Sequence, residues 1–507
     1  MRISNLTAPV LAAGILAAFY YSEKVVQPKP RDDKIHVVYW EKWTSFEGDA
    51  IRAVVDAYNA SQNRIHVDLL TVSGIENKTL LAIAGGTPPD VAGLYGPNVA
   101  QYAEDRAVVP LDDYCRANNI KRDDYIPVYW DMGTYRGIQY ALPTVPASTA
   151  LHYNKAMFRA AGLNPESPPT TIEELNAEAE KMTEKGPDGK YLKMGFMPAE
   201  PGWWNWGWGC IFGGALWDGR SRITANSPEN VRAYEWVQSW SKRYGATSLN
   251  SFKSGLGNFS SPQNGFLDGH VAMELQGVWM YNFIDKYAPK MEKPVREWGA
   301  SPFPHPADRP DLADTTFADE DCLVIPRGAA HPNEAFEFIK YVQSQKGMEL
   351  LCLGQRKHSC LKKVSPEFWK NNPNPYVHLF ADLASGKNVI VPPKIGLWPE
   401  LHDAMTNAFD EIALEKKTPR EALDAVQTAM QPKLDALLEI QRLRDRQEHR
   451  TADSSPQRHK DTKKSSPGTA GSRTSAHPRD PVALVTPSPV FGRGGRGVRA
   501  LRLRAYA

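Results

Sequence analysis

A chain of 507 residues, 42% hydrophobic and 23% charged, is long enough for two or three domains around a large buried core. Its formal net charge of +2 hides an uneven distribution: from Arg442 onward there are 15 Lys+Arg against 5 Asp+Glu, which leaves 45 against 53 in the body. A mildly acidic body argues against nucleic-acid binding, and five scattered cysteines do not make a disulfide framework.

In residues 1–30, Arg2 and the uncharged run LTAPVLAAGILAAFYY read as an export signal or an N-terminal anchor. The run is short of the roughly 20 apolar residues that a span needs. No other segment reads as touching a membrane. The stretch IHVVYW (35–40) has the composition of a buried strand. Ile51, Val54, Val55 and Tyr58 then fall on one helical face, and IHVDLLTV (65–72) returns as a strand. Strand, helix and strand at this spacing imply parallel pairing with a crossover helix. A second helix, a GGTPP break and a short strand from Asp90 to about Tyr95 repeat the unit, and loops at such strand ends are where α/β sheets hold ligands.

Further along, Thr171 with Glu174 and Thr418 with Glu421 have capping-box spacing, and Ser227-Pro228 opens a helix whose buried face carries Trp236 and Trp240. Residues 335–342 and 397–412 read as helices, the second aligning Leu401, Met405, Phe409 and Ile412. Beyond about Leu443 the helical periodicity ends, and 445–507 reads as a basic, disordered tail. Cys352 and Cys360 are close enough in sequence to pair, though two separate buried thiols fit equally well.

Motifs for metal, thiol, phosphate or nucleophilic-serine chemistry are missing: there is no H-E-x-x-H, C-x-x-C, G-x-S-x-G or P-loop. No catalytic residue, metal ligand or cofactor is assigned. A glycosidase needs only two carboxylates at no fixed sequence spacing, and Glu41, Glu47, Asp319, Glu320 and Asp321 lie near predicted strand ends. A secreted sugar-acting enzyme is therefore the alternative reading. The stretch PGWWNWGWGCIFGGALWDG (201–219) holds five tryptophans, rings that suit either a dense core or a surface gripping the apolar face of a pyranose.

Three segments, in order, carry a resemblance. Residues 84–114 (AGGTPPDVAGLYG onward), 137–175 (with Leu142-Pro143, Tyr153-Asn154-Lys155 and Ala161-Gly162) and 266–285 (FLDGHVAMELQGVWMYNFID) are similar to the extracytoplasmic solute-binding proteins of ABC importers, in the sugar-binding group that includes maltose-binding protein. The likeness covers about 34–440. It implies an α/β fold of two discontinuous lobes, each a mainly parallel sheet flanked by helices, with hinge strands near 142–146 and after about 304. The expected division is 34–142 with 305–350 in one lobe and 143–304 with 351–440 in the other.

The same resemblance implies a monomer that binds a carbohydrate between its lobes and presents it to an ABC permease outside the cytoplasm, without chemistry. Another solute is a second alternative. Glu41, Trp43, Thr44, Leu94, Tyr95, Asn98 and Tyr153 are expected to face the ligand from family position, with Trp279 and Trp398 as ring-stacking tryptophans. Trp204 and Trp206 from the indole-rich stretch, together with Glu320 and Arg356, complete the expected set. The charged residues that meet sugar hydroxyls in the family are replaced here by Thr44, Ser45, Pro97, Asn98 and Ala147, so maltodextrin itself is not implied.

Overall fold

Two strands change partners part-way along their length, and that exchange organises the molecule. In the computed structural model, which describes residues 33–453 apart from Phe259, eight strands form one sheet. They are β1 (Ile35–Glu41), β2 (Ile65–Thr71), β3 (Val91–Tyr95), β4 (Leu142–Asn154), β5 (Met273–Gly277), β6 (Trp298–Ser301), β7 (Thr316–Val324) and β8 (Val389–Ile390). The order is β6-β4-β7-β3-β1-β2, with β5 on β4 and β8 on β7.

β1 is parallel to β2 and to β3, as the strand–helix–strand spacing requires, and the helix Ser45–Ser61 makes the crossover. β7 runs antiparallel to β3. The first half of β4 pairs antiparallel with β7, from Leu142 to Ser148; from Thr149 to Tyr153 it pairs instead with β5, and from Leu151 to Asn154 with β6. Val145 accordingly belongs to a core with Val37, Tyr39, Val54, Leu323 and Phe338, whereas Leu151 belongs to another with Trp208, Trp236, Met273, Leu275 and Phe409. Five residues of one strand thus separate two hydrophobic cores, and each core needs its own covering helices. This is a two-lobed α/β architecture with strands running between the lobes.

The later segments that return after β7 divide between the core of Leu151 and a third cluster. Cys352, Cys360 and Phe368 pack with Tyr125, Tyr129 and Met132, while Trp398, Leu401, Met405, Phe409 and the helix face Leu423–Val426–Met430–Leu434 join the core of Leu151. Both capping boxes form: Thr171 accepts from the Glu174 amide, and Thr418 from the Glu421 amide at 3.3 Å while Glu421 accepts from the Thr418 amide at 2.9 Å. Ser227 caps the helix Pro228–Tyr244. The final helix, Pro419–Asp453, corrects the expectation of disorder from 445: its Gln-, Arg- and Glu-rich end has good helix propensity and continues the preceding turns. The leader (1–30) and the tail beyond Asp453 lie outside the described residues, among which no helix is long and apolar enough to cross a membrane. Cys352 and Cys360 are separate buried thiols; burial pushes Cys352 up to about 12.

Candidate ligand cleft

The indole-rich stretch splits by position. Trp206 and Trp208 point into the protein: Trp206 stands edge-on to Trp398, with ring centroids 4.9 Å apart, and Trp208 packs against Trp236 at 5.3 Å. Trp203 and Trp204 are only half-buried. Trp204 stacks on Phe317 of β7 (5.1 Å, 15° between planes), and Trp279 lies 6.4 Å from Trp204 and 5.6 Å from Trp203. The Trp279 ring rests directly on Gly277, where an added Cβ would sit 2.2 Å from ring carbons, so only glycine allows that placement. The three indoles form a partly open aromatic wall, with Trp204 seated on the core that includes Leu151 and Trp279 on the smaller clusters around Phe266 and Phe380.

The same strand leads from this wall to a polar floor. Alternation along β7 puts Phe317, Asp319 and Asp321 on one face and Glu320 on the other. Lys42, just past the end of β1, lies 2.7 Å from Asp321 Oδ1 and 3.3 Å from Glu41 Oε1, and its ammonium donates to the Leu94 carbonyl at 3.4 Å. Its Nζ is 4.3 Å from the centre of the Tyr95 ring and 5.2 Å from that of Trp43. Burial alone would lower the Lys42 pKa, but Asp321 and Glu41 more than offset it, so the ammonium stays protonated. Beside the indole wall, Lys357 Nζ is 3.2 Å from Glu47 Oε1 and 5.9 Å from the centre of the Trp279 ring.

Asp319 accepts from the Glu320 amide at 2.7 Å. Burial, reinforced by Asp321 and opposed by that amide and by Lys42, pushes its carboxyl up to about 7. A carboxyl raised in the folded state binds its proton more tightly there than in the unfolded chain. Stability contributed by Asp319 is therefore present at low pH and falls as pH rises from about 4 toward 7. Asp319→Asn is expected to flatten that part of the stability–pH curve, measured by urea unfolding; an unchanged slope would remove Asp319 from this role.

The expected site residues fall into two groups. Glu41 is fully buried and accepts from Tyr39 Oη (2.6 Å) and the Lys42 amide (2.8 Å), so it orients Lys42 rather than facing solvent. Trp43 and Leu94 are buried beside the same ammonium, Tyr95 is 42% exposed over it, Thr44 is exposed at the start of the helix Ser45–Ser61, and Asn98 is half-buried at the end of the turn Gly96–Asn98. Of these, Trp43, Leu94 and Tyr95 surround the Lys42 ammonium, and Trp204 and Trp279 belong to the wall.

The others lie in packing. Tyr153 lies against Gly299 and Phe158; Trp206 and Trp398 pack on each other. Glu320 is buried against Gly96 on the opposite face of β7, with no protein partner for either oxygen, and Arg356 is committed to Asp285 at 2.6 Å. Sequence reasoning missed Lys42 and Lys357, left open which of Trp203, Trp204, Trp206 and Trp208 face the cleft, and weighed Glu47, Asp319 and Asp321 only as possible catalytic carboxylates. The period of two in TFADED was the available signal for Asp319 and Asp321.

Comparison with known proteins adds to this geometry. A family model described as bacterial extracellular solute-binding protein matches residues 44–349. The chain is 21% identical over 418 residues to the sn-glycerol-3-phosphate-binding periplasmic protein UgpB of Pectobacterium atrosepticum, covering 76% of this chain and 88% of that one. Among solved structures it resembles CpMnBP1 with mannotriose bound (TM-score 0.68, 27% identity, 78% of this chain and 99% of that one). It also resembles the ABC substrate-binding protein Lmo0181 of Listeria monocytogenes in complex with cycloalternan (TM-score 0.66, 19% identity, 80% and 100%).

Proposed function

Since the chain belongs to the bacterial extracellular solute-binding proteins, we propose that it binds an uncharged oligosaccharide between its lobes and delivers it to the permease of an ABC importer. It works as a monomer outside the cytoplasmic membrane, exported by its N-terminal segment, which serves either as a cleaved signal or as a retained anchor. Ligand contact with both lobes favours the closed arrangement, and closure is the signal passed on; no bond is made or broken. The relatives bind two kinds of ligand, a phosphorylated polyol and neutral oligosaccharides.

The observation that favours the second kind is the state of the cations. Lys42 is surrounded by three oxygens, Lys357 is paired with Glu47, and Arg356 with Asp285. A phosphate approaching Lys42 or Lys357 would have to displace a carboxylate from it and would meet Asp319 and Asp321 besides, and Arg356 lies apart on Asp285. A sugar asks for no free cation: its apolar ring face suits the indoles and its hydroxyls suit the carboxylates.

Titration of the purified protein with mannotriose, cycloalternan and other neutral oligosaccharides, followed by tryptophan fluorescence, is expected to give a saturable change. sn-Glycerol 3-phosphate is expected to give none. Saturation by the phosphate alone would overturn the proposal.

A further inference from the structure

The final helix, Pro419–Asp453, is rooted at one end only. Leu423, Val426, Met430 and Leu434 are buried in the core with Met405 and Phe409, and Gln431 fastens the same part to the backbone of Ser221 and Ile223. Beyond Leu434 the helix passes beside an open groove of about 380 Å³ lined by Trp217, Arg220, Ile395, Leu438 and the Thr134–Gly137 turn. No residue past Leu434 whose side chain is described is fully buried.

Its far end nevertheless makes a set of polar contacts with the lobe built on β1–β3. Arg444 Nη1 donates to the Glu104 carbonyl at 2.9 Å and approaches Glu104 Oε2 at 3.4 Å. Gln441 Nε2 donates to Glu104 Oε1 at 2.6 Å and to Tyr135 Oη at 3.1 Å, and Tyr135 itself donates to Glu104. One turn on, Arg136 Nη2 meets Asp445 Oδ2 at 2.6 Å. Glu104 is buried under this arrangement, between the helix end and the backbone of Gly396, so its carboxylate has exchanged water for these donors.

We infer that the end of this helix is an interlobe strap: Glu104, Tyr135 and Arg136 on one lobe, and Gln441, Arg444 and Asp445 on a helix anchored in the other, hold the lobes in the arrangement seen here. Beside the groove the gap is closed by these polar contacts and by the Glu104 side chain against Gly396, with no fully buried side chain of the helix end between them, so the two sides can separate there. The lobes move about strands that carry no part of the strap. Breaking it therefore shifts the balance between lobe arrangements without touching the indole wall or the Lys42 floor. The inference depends on the two-lobed fold and not on which ligand binds.

The test uses the full-length protein with no ligand. Spin labels at Asp113→Cys and Lys190→Cys, both strongly exposed positions, report the distance between lobes by pulsed electron paramagnetic resonance in a Cys210→Ser background. Gln441→Ala with Arg444→Ala is expected to add a second distance population that is absent from the parent. Glu104→Ala is expected to produce the same population, and combining both sides is expected to produce no more than either alone. A distance distribution that stays superimposable on the parent in all three variants, with cooperative unfolding retained, overturns the strap.

Discussion

Trp279→Ala is expected to weaken oligosaccharide binding by at least about 2 kcal/mol, a loss of ~30-fold in Kd, while leaving the unfolding midpoint close to that of the parent. The ring is half-buried at the rim of two small hydrophobic clusters, is tilted 47° from Trp203 and 31° from Trp204, and rests on Gly277, so its removal opens a depression at the surface and not an enclosed core cavity. Its value lies in offering a rigid apolar face to a sugar ring at little entropic cost. Isothermal calorimetry on the parent and variant measures the loss, and Trp398→Ala is the informative control. That ring is buried against Trp206, so its truncation is expected to lower stability by about 3–5 kcal/mol. Equal affinity in Trp279→Ala and parent would remove the indole wall from the site.

Lys42→Met is expected to destabilise the fold by about 3–5 kcal/mol, the range found when one partner of a buried ion pair is removed. The methionine fills similar space but leaves Glu41 and Asp321 facing each other with no cation between them. Their side chains are 2% and 12% exposed, so water screens the pair poorly. The Leu94 carbonyl and the face of Tyr95 lose their cation as well. Double substitution of Lys42→Met with Glu41→Gln is expected to recover part of the loss, because one of the two stranded charges is then gone. Urea unfolding of the four proteins measures the coupling; additive effects would mean that Lys42 and Glu41 do not act as a unit.

Much of this fold was legible in the sequence, and for identifiable reasons. β1, its crossover helix and β2 follow from apolar periodicity that switches from two to 3.6 and back, and the helix at Ser227-Pro228 follows from its cap. The partner exchange within β4 was not legible from periodicity, because nearly every residue of that strand is buried on both faces and alternation vanishes. Only the resemblance pointed to a crossing there.

The site was harder to read. Strand-end position drew attention to Glu41 and Glu320, yet inward alternation turns Glu41 into a support for Lys42 and sends Glu320 to the far face of β7. Which indoles are exposed depended on turns in the 201–208 segment, where neither helix nor strand period applies until Trp208. The strap joins residues more than 300 positions apart through three side chains that, read locally, are merely polar positions on a helix end.

The measurement that bears most directly on this account is a crystal structure of the protein with the tightest-binding neutral oligosaccharide from the titration. A sugar ring against Trp279 and Trp204, with hydroxyls at Asp319 and the lobes closed over it relative to the unliganded protein, is the predicted result. A sugar bound elsewhere on the surface, with Trp203, Trp204 and Trp279 untouched and the lobes unmoved, would contradict it.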